Sequence, residues 1–328
     1  MTSALASSRP RLHIVTGKGG TGKTTVAAAL ALAVASGGKK VLLCELEGRQ
    51  GIASIFDVAP LPYGERRIAV GPRNGEVFAL AIDAEAALLE YLDMFYRLGR
   101  AGKALDRFGV IDFATTIAPG VRDVLLTGKV YEATRRTDAG KPSYDAVVLD
   151  APPTGRIGRF LNVNAEVAGI AKVGPIRNQS TSIMRLLKSP QTRVHVVTSL
   201  EEMPVQETLD ALAELRTIGL PVGCAIVNQM LESELAADQL VAAAAGDLDE
   251  AEVEAALKEA GVGSDPLIVA GLLDEAQQHA ARVRLEAAQR SRLDSADAPV
   301  LTLPYLTDGI DVGALYELAD HLCESGEF

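Results

Sequence analysis

The sequence reads Gly17-Lys18-Gly19-Gly20-Thr21-Gly22-Lys23-Thr24 directly after a short apolar run, residues 11–16, and directly before an Ala- and Leu-rich run, residues 25–36. A GxxxxGK[ST] pattern between a strand and a helix is typical of a phosphate-binding loop, or P-loop. Its glycines let the backbone curl closely around phosphate oxygens and turn N–H groups toward them. A glycine turn that binds nothing is the alternative, and the lysine–threonine pair argues against it. The stretch therefore predicts a nucleotide-binding α/β fold.

The side chains of this loop have separate tasks in the predicted site. Lys23 is expected to reach the β- and γ-phosphates, and the Thr24 hydroxyl to coordinate Mg²⁺. The helix that begins near Thr25 adds the positive end of its dipole. We therefore expect ATP and Mg²⁺ as cofactors, with nine nucleotide-binding residues in this loop: Gly17, Lys18, Gly19, Gly20, Thr21, Gly22, Lys23, Thr24 and Thr25.

Short apolar runs recur along the chain and are separated by helical stretches. They lie at residues 40–44, 77–82, 146–149, 194–198, 223–227 and 300–303. Such runs are typical of parallel strands with both faces buried. They predict one doubly wound, mostly parallel P-loop NTPase domain over residues 11–328, after a flexible N-terminus at residues 1–10. The run at 146–149 is followed by Asp150, and an acid at the end of a buried strand is placed to hold Mg²⁺, commonly through water.

Two stretches interrupt this alternation. Residues 84–136 have helical periodicity with a break at Pro119-Gly120, and we interpret them as an inserted helical subdomain. Residues 231–298, the acidic segment, are rich in Ala, Glu and Leu, with turns expected near Gly246 and residues 261–266. Both could simply cover the sheet, whereas the helical subdomain could equally be a binding surface. The acidic segment carries 15 acidic residues against five basic ones, nearly all of the net charge of −11.

Composition excludes several classes of protein. The rest of the chain is close to neutral and has no basic stripe, which disfavours nucleic-acid binding. The longest apolar run is far shorter than the roughly 20 residues of a membrane span, so no direct membrane span is expected. Three cysteines, Cys44, Cys224 and Cys323, form neither a disulfide framework nor a CxxC metal site, and the first two are expected in the core. These features predict a cytoplasmic protein.

A second lysine in the P-loop, Lys18, narrows the class of P-loop protein that the sequence predicts. The stretch Gly-Lys-Gly-Gly-Thr-Gly-Lys-Thr-Thr resembles the deviant Walker A loop of the family that includes the ArsA arsenite-pump ATPases, the tail-anchored-protein targeting ATPases, the Min and Par ATPases and the nitrogenase iron protein. The resemblance implies that Lys18 reaches across a dimer interface to the partner's nucleotide, much as an arginine finger does. It implies a homodimer or a heterodimer with a paralogous ArsA-like ATPase. A solvated surface lysine is the alternative.

Further motifs point to one branch of this family. Residues 150–161 resemble its switch II segment, D-T-A-P-T-G-H-T-L-R, with the Pro-Thr-Gly core and Arg159 retained and Arg156 in place of the histidine. Residues 118–123 resemble its PG-x-x-E motif and residues 197–208 the segment with its PE motif. The resemblance implies that Asn228 reads adenine and that the loop at Pro304 closes over the base. It covers residues 11–320 and is closest to single-half actinobacterial ATPases.

Switch I departs from the pattern of the branch. Where the branch has S-T-D-P-A-H-S, with an aspartate that orients the attacking water, this chain has Glu47. The carboxylate is kept but is one methylene longer, and a misplacement of about 1 Å can cost about 100-fold in rate. We expect Glu47 and Lys18 to be the catalytic residues. The alternative is that Glu47 only caps a loop.

These observations predict a dimeric, Mg²⁺-dependent ATP hydrolase whose cycle produces motion and handles a client or a membrane protein. A nucleotide-gated scaffold with little turnover, which pairs with a catalytic paralogue, is the alternative from another class. A small-molecule kinase is a third, against which the switch II segment argues. Residues 84–136 could present a hydrophobic groove, and the sequence does not name the client.

Overall fold

A large β-sheet forms the centre of the structure, a computed structural model that describes residues 10–46, 50–96, 120–170 and 175–328. In chain order the strands are β1 (Leu12–Gly17), β2 (Lys40–Leu46), β3 (Arg66–Gly71), β4 (Gly75–Ile82), β5 (Thr137–Asp138), β6 (Lys141–Pro142), β7 (Ala146–Asp150), β8 (Thr192–Thr198), β9 (Val222–Met230) and β10 (Val300–Pro304). The large sheet has the order β10-β9-β8-β1-β7-β2-β4-β3, and β5 pairs only with β6. The predicted N-terminal tail at 1–10 lies outside the described residues except for Pro10.

Helices cover both faces of this sheet. The described α-helices are α1 (Lys23–Ala35), α2 (Gly51–Ile55), α3 (Ala84–Tyr96), α4 (Val121–Arg135), α5 (Thr154–Ile170), α6 (Pro175–Leu187), α7 (Glu202–Thr217), α8 (Ala237–Ala245), α9 (Glu250–Glu259), α10 (Pro266–Asp294) and α11 (Val312–Glu324). One hydrophobic cluster joins α1 and α11 to one face of the sheet, and a second joins α4, α5, α6 and α7 to the other. The predicted doubly wound α/β fold is confirmed.

Alternating side chains of the central strands fill these two clusters. Val41 and Leu43 of β2 point to the α1 side, whereas Leu42 and Cys44 point to the α4 side. Successive side chains of a strand lie on opposite faces, so a strand covered on both sides must be apolar at every position. This is why the buried strands appear in the sequence as continuous apolar runs.

The crossover from β1 to β2 decides where the acid of β7 lies. β1 and β2 are consecutive in the chain, yet β7 is inserted between them and pairs in parallel with both. Asp150, the last residue of β7, is therefore in register with Val15 of β1 and with Glu45 of β2. In open parallel sheets ligands bind beyond the carboxyl ends of the strands. The topology thus brings Asp150 to the edge at which the P-loop begins.

One strand of the sheet was not predicted. β3 is the edge strand and pairs antiparallel with β4, whereas the other pairings of the large sheet are parallel. Its arginines, Arg66 and Arg67, are exposed, and its apolar run is only three residues long, at 68–70. Charged side chains on an edge strand are common because one of its sides faces water. The pattern of buried strands therefore could not reveal it.

Residues 231–298 form α8, α9 and α10, which are separated at residues 246–249 and 260–265. Asp249 and Asp265 each accept a backbone N–H of the helix that follows, at 2.8 Å in both cases. An aspartate before a helix satisfies one of the amide groups left unpaired at its first turn. The glycines and aspartates of the acidic segment therefore explain where its helices begin and end.

Two histidines are buried between β1 and β8. Nδ1 of His195 accepts the backbone N–H of Cys224 at 3.1 Å, so a neutral His195 carries its proton on Nε2. Nε2 lies 3.2 Å from Nδ1 of His13, which accepts a hydrogen bond from it. Burial lowers the pKa of His13 to about 4 and that of His195 well below its usual value. The pair is therefore neutral in the folded protein.

We expect the free energy of unfolding to fall as the pH decreases from about 6.5 to 4, because the unfolded chain then binds protons that folded His13 does not. At pH 5 the loss from His13 alone is about 2 kcal/mol. Urea unfolding between pH 7.5 and 5 measures it. The variant His321→Gln is the control, because His321 is exposed on α11 and should leave the pH dependence unchanged. A stability independent of pH over this window would contradict the prediction.

Candidate nucleotide-binding site

The P-loop joins β1 to α1 and is packed too tightly for side chains at two of its glycines. A Cβ at Gly17 would lie 2.2 Å from the carbonyl oxygen of Val197. Gly22 has a φ of +82°, and a Cβ there would lie 2.3 Å from Nδ2 of Asn228. Both positions therefore require glycine, the first for close approach of two strands and the second for a left-handed backbone as well.

Internal hydrogen bonds hold the loop in a curved shape. The carbonyl oxygen of Lys18 accepts the Thr21 hydroxyl at 2.9 Å and the Lys23 ammonium at 3.1 Å. Helix α1 begins at Lys23, slightly before the predicted start near Thr25, and its N-cap residue, Gly22, makes no side-chain cap bond. Its first turn also contains no acidic residue. The N–H groups of a helix N-terminus, the helix dipole and a lysine in one place suit an anion such as a phosphate.

The structure brings the two predicted magnesium-binding residues together. Oγ1 of Thr24 donates a hydrogen bond to Oδ2 of Asp150 at 2.6 Å, although 126 residues separate them in the chain. Mg²⁺ prefers hard oxygen ligands and usually keeps several waters, so it takes few groups from the protein. A hydroxyl and a carboxylate beside the P-loop fit that preference. Their role as Mg²⁺ ligands remains a prediction.

Lys18 has a partner that the sequence did not reveal. Its Nζ lies 2.8 Å from Oε1 of Glu207 on α7, and both side chains are about one-third exposed, at 31% and 36%. The other carboxylate oxygen, Oε2, accepts the hydroxyl of Thr154 at 3.2 Å. The hydrogen bond from Lys18 lowers the pKa of Glu207. Glu207 falls within residues 197–208, but only the tertiary structure shows that it contacts the P-loop.

Switch I is anchored by a buried acid, Glu45. Its carboxylate accepts the backbone N–H of Gln50 at 2.6 Å and that of Ile52 at 2.9 Å, and its side chain is only 2% exposed. The proposed catalytic residue Glu47 lies outside the described residues and stays a prediction. Sequence reasoning passed over Glu45 because the comparison of motifs favoured Glu47. The signal was present in its position at the end of a buried strand.

Asn228 and Pro304 lie at the ends of neighbouring strands. Asn228 is buried and donates from Nδ2 to the Thr21 carbonyl oxygen at 3.0 Å, so it touches the P-loop directly. Pro304 ends β10, and the next residue, Tyr305, donates its backbone N–H to Met230 at 2.9 Å. Both residues therefore lie at the P-loop edge of the sheet. Their predicted contacts with the adenine base remain predictions.

The switch II segment contacts the helical subdomain. Arg156 of α5 lies 3.8 Å from the Asp123 carboxylate of α4. Asn164, also on α5, donates to the Thr127 hydroxyl of α4 at 2.8 Å, and both residues are buried. These contacts could transmit a displacement of α5 at its P-loop end to α4. Asp123 belongs to the stretch that resembles the PG-x-x-E motif.

A cavity of about 640 Å³ lies among α3, α4, α5 and α6. Its apolar lining includes Leu88, Val124 and Val167, and Glu90 and Lys129 form an ion pair of 2.7 Å in its wall. Burial alone would raise the pKa of Glu90, but hydrogen bonds from Lys129 and Tyr63 lower it. The described part of residues 84–136 therefore lines the cavity, and Glu90 and Lys129 in its wall are paired with each other.

Cys44 and Cys224 lie in β2 and β9 and are buried, as predicted. Burial raises the pKa of both thiols, that of Cys224 to about 12, so both are protonated at neutral pH. Among residues 10–46, 50–96, 120–170 and 175–328 no three His, Cys, Asp or Glu side chains cluster as a metal site would require. Within the same residues, no helix is both long and apolar enough to span a bilayer.

Comparison with known proteins agrees with this geometry. The chain is 56% identical to ATPase BagA of Mycobacterium tuberculosis over 317 residues, which are 96% of this chain and 93% of that protein. It is 27% identical to ATPase GET3 of Kluyveromyces lactis over 270 residues, 71% of this chain and 76% of the relative. It is 28% identical to an arsenical pump-driving ATPase of Acidiphilium multivorum over 251 residues, 71% of this chain and 42% of the relative.

The model of the anion-transporting ATPase family matches residues 11–190, which contain the P-loop, Asp150 and the switch II segment. These are the parts that the structure assembles at one edge of the sheet. The chain therefore belongs to the anion-transporting, or ArsA-type, ATPase family.

Proposed function

We propose that this chain is a cytoplasmic, Mg²⁺-dependent ATP hydrolase that works as a dimer and couples its nucleotide cycle to a client or a membrane partner. The observation that carries the proposal is the contact between Thr24 and Asp150 at the mouth of a P-loop that also contains Lys23. A loop that only turned the chain would need neither a hydroxyl nor a strand-end acid at this place. Family membership supports ATP as the nucleotide.

The chemistry is in-line attack of water on the γ-phosphorus of ATP. The water oxygen forms the new bond to phosphorus, the bond to the β–γ bridging oxygen breaks, and ADP, phosphate and a proton from the water are released. Lys23 binds the β- and γ-phosphate oxygens, the N–H groups of α1 add to their stabilisation, and Glu47 orients the water. Thr24 and Asp150 would hold Mg²⁺, which would supply positive charge beside the phosphate oxygens. Lys18 is supplied by the partner and stabilises the charge that develops in the transition state.

The contacts of α5 offer a route from nucleotide to helical subdomain. The switch II segment begins at Asp150 and continues into α5, which touches α4 through Arg156 and Asn164. A change at the γ-phosphate therefore has a short path to α4 and to the cavity beside it. The product of this cycle would be a movement of the helical subdomain, which is where a client or a membrane protein would be handled.

We favour a heterodimer with a paralogous ATPase over a homodimer. Glu47 replaces the aspartate of the branch that the sequence resembles, and one imperfect site is easier to tolerate when a second site shares the work. The acidic segment would also repel its own copy if it lay near the interface, although screening limits this beyond about 8 Å at physiological salt.

We expect native mass spectrometry of the protein from its own cells to find a heterodimer with a paralogous ATPase. We also expect the purified chain to hydrolyse ATP faster when this paralogue is present. Turnover with and without the paralogue is the measurement. A stable ATP-bound monomer would contradict the dimer. A homodimer with full turnover would contradict the heterodimer. Negligible turnover of this chain, together with activation of its paralogue, would favour the nucleotide-gated scaffold.

A further inference from the structure

Lys18 forms an ion pair within its own chain. Its ammonium lies 2.8 Å from the Glu207 carboxylate, which is on α7 rather than on the P-loop. Glu207 emerges from the second turn of a well-packed helix, whose Pro204 and Thr208 are buried. The carboxylate is therefore carried by a packed helix, whereas Lys18 belongs to a loop.

One ammonium group cannot serve two distant anions. In the proposed function, Lys18 stabilises phosphate oxygens of the partner's nucleotide, and this requires it to extend away from its own chain. The ion pair with Glu207 directs it instead toward α7. If the two positions exclude each other, as the inference below requires, assembly of a dimer with ATP breaks the contact with Glu207.

The second oxygen of Glu207 connects this contact to the switch II segment. The hydroxyl of Thr154, the first residue of α5, donates to Oε2 at 3.2 Å, and Thr154 is only 4% exposed. One carboxylate thus joins the P-loop lysine to the segment that changes with the γ-phosphate. If the contact with Lys18 breaks, the carboxylate can reorient relative to Thr154, and the reverse also holds.

We propose that Glu207 is the positioning residue for Lys18: it holds the lysine at α7 until the nucleotide of a partner replaces it as the anion. This inference rests on the proposed function. It adds that Lys18 has a competing partner in its own chain and that this competition sets the protein concentration at which ATP drives assembly.

The test compares full-length wild-type protein with Glu207→Gln and Glu202→Gln. Glutamine keeps the shape of the side chain and a hydrogen bond from Thr154 but removes the charge that competes for Lys18. Glu202→Gln makes the same change of charge on the exposed first turn of α7. Sedimentation velocity over a dilution series, with and without Mg-ATP, gives the concentration of half-assembly, and calorimetric titration gives the ATP affinity.

We expect Glu207→Gln to assemble with Mg-ATP at a concentration about fivefold lower than wild type, a change of the size that an exposed ion pair supports. Its ATP affinity should stay within about twofold, because the substitution leaves Lys23 and Thr24 of the P-loop unchanged. Glu202→Gln should match wild type in both. A thermal melting curve of each variant reports on folding, and a merely structural role of Glu207 would lower stability without promoting assembly.

Two outcomes would overturn the inference and differ in what they say about function. If Glu207→Gln assembles at the wild-type concentration while Lys18→Ala fails to assemble, the dimeric function stands and Glu207 does not compete for Lys18. If no protein in the series assembles with ATP, the inference fails together with the proposed dimer.

Discussion

In a calorimetric titration, Lys23→Ala should bind Mg-ATP at least about 100-fold more weakly than wild type, since a charge-assisted hydrogen bond contributes about 1.5–3 kcal/mol and Lys23 is expected to make such bonds to two phosphates. Its ammonium donates to the carbonyl oxygen of Lys18 at 3.1 Å, within the loop. The lysine is therefore already located where the phosphates would bind, and its removal should affect affinity more than folding.

The matched control for this variant is Lys141→Ala. Lys141 is an exposed lysine of the short β5–β6 pair, away from the P-loop. It should keep wild-type ATP affinity, which separates a local effect from a change in net charge. Wild-type affinity in Lys23→Ala would remove the basis for the P-loop assignment.

Lys18→Ala should bind ATP nearly as well as wild type and yet lose most hydrolysis at the partner's site, which is the site that this lysine would serve. A cation supplied in trans to the transferring phosphoryl group contributes about 10³–10⁵-fold to turnover, so we expect a loss of at least about 1,000-fold at that site. The charge acts across the interface and only as charge develops, which is why the rate should fall and the affinity should not. The measurements are ATP affinity, turnover and sedimentation of one preparation.

A second variant shows whether the position or only the charge of Lys18 matters. Lys18→Arg keeps the charge, but its planar guanidinium is not equivalent to an ammonium, so partial turnover is expected. Unchanged turnover and unchanged assembly in Lys18→Ala would mean that Lys18 is a surface residue. Glu207 would then be an ordinary ion-pair partner of it.

Local chemistry made much of the site readable in the sequence. Phosphate binding needs glycines at fixed spacing, followed by a lysine and a hydroxyl, and all of them lie within eight consecutive residues of the printed chain. The buried strands were equally readable, because a strand covered on both faces must be apolar throughout. The position of Asp150 at the end of such a strand identified it as well.

The partners of these residues were decided by the tertiary structure. Insertion of β7 between β1 and β2 places Asp150 beside Thr24, and no local pattern encodes the order of strands in a sheet. The same holds for Glu207, which meets Lys18 only because α7 packs beside the P-loop. Contacts between residues far apart in the chain depend on how whole elements pack. The sequence alone therefore determined which groups are suited to bind a nucleotide, because that chemistry is local. The packing of the elements determined which groups those residues contact.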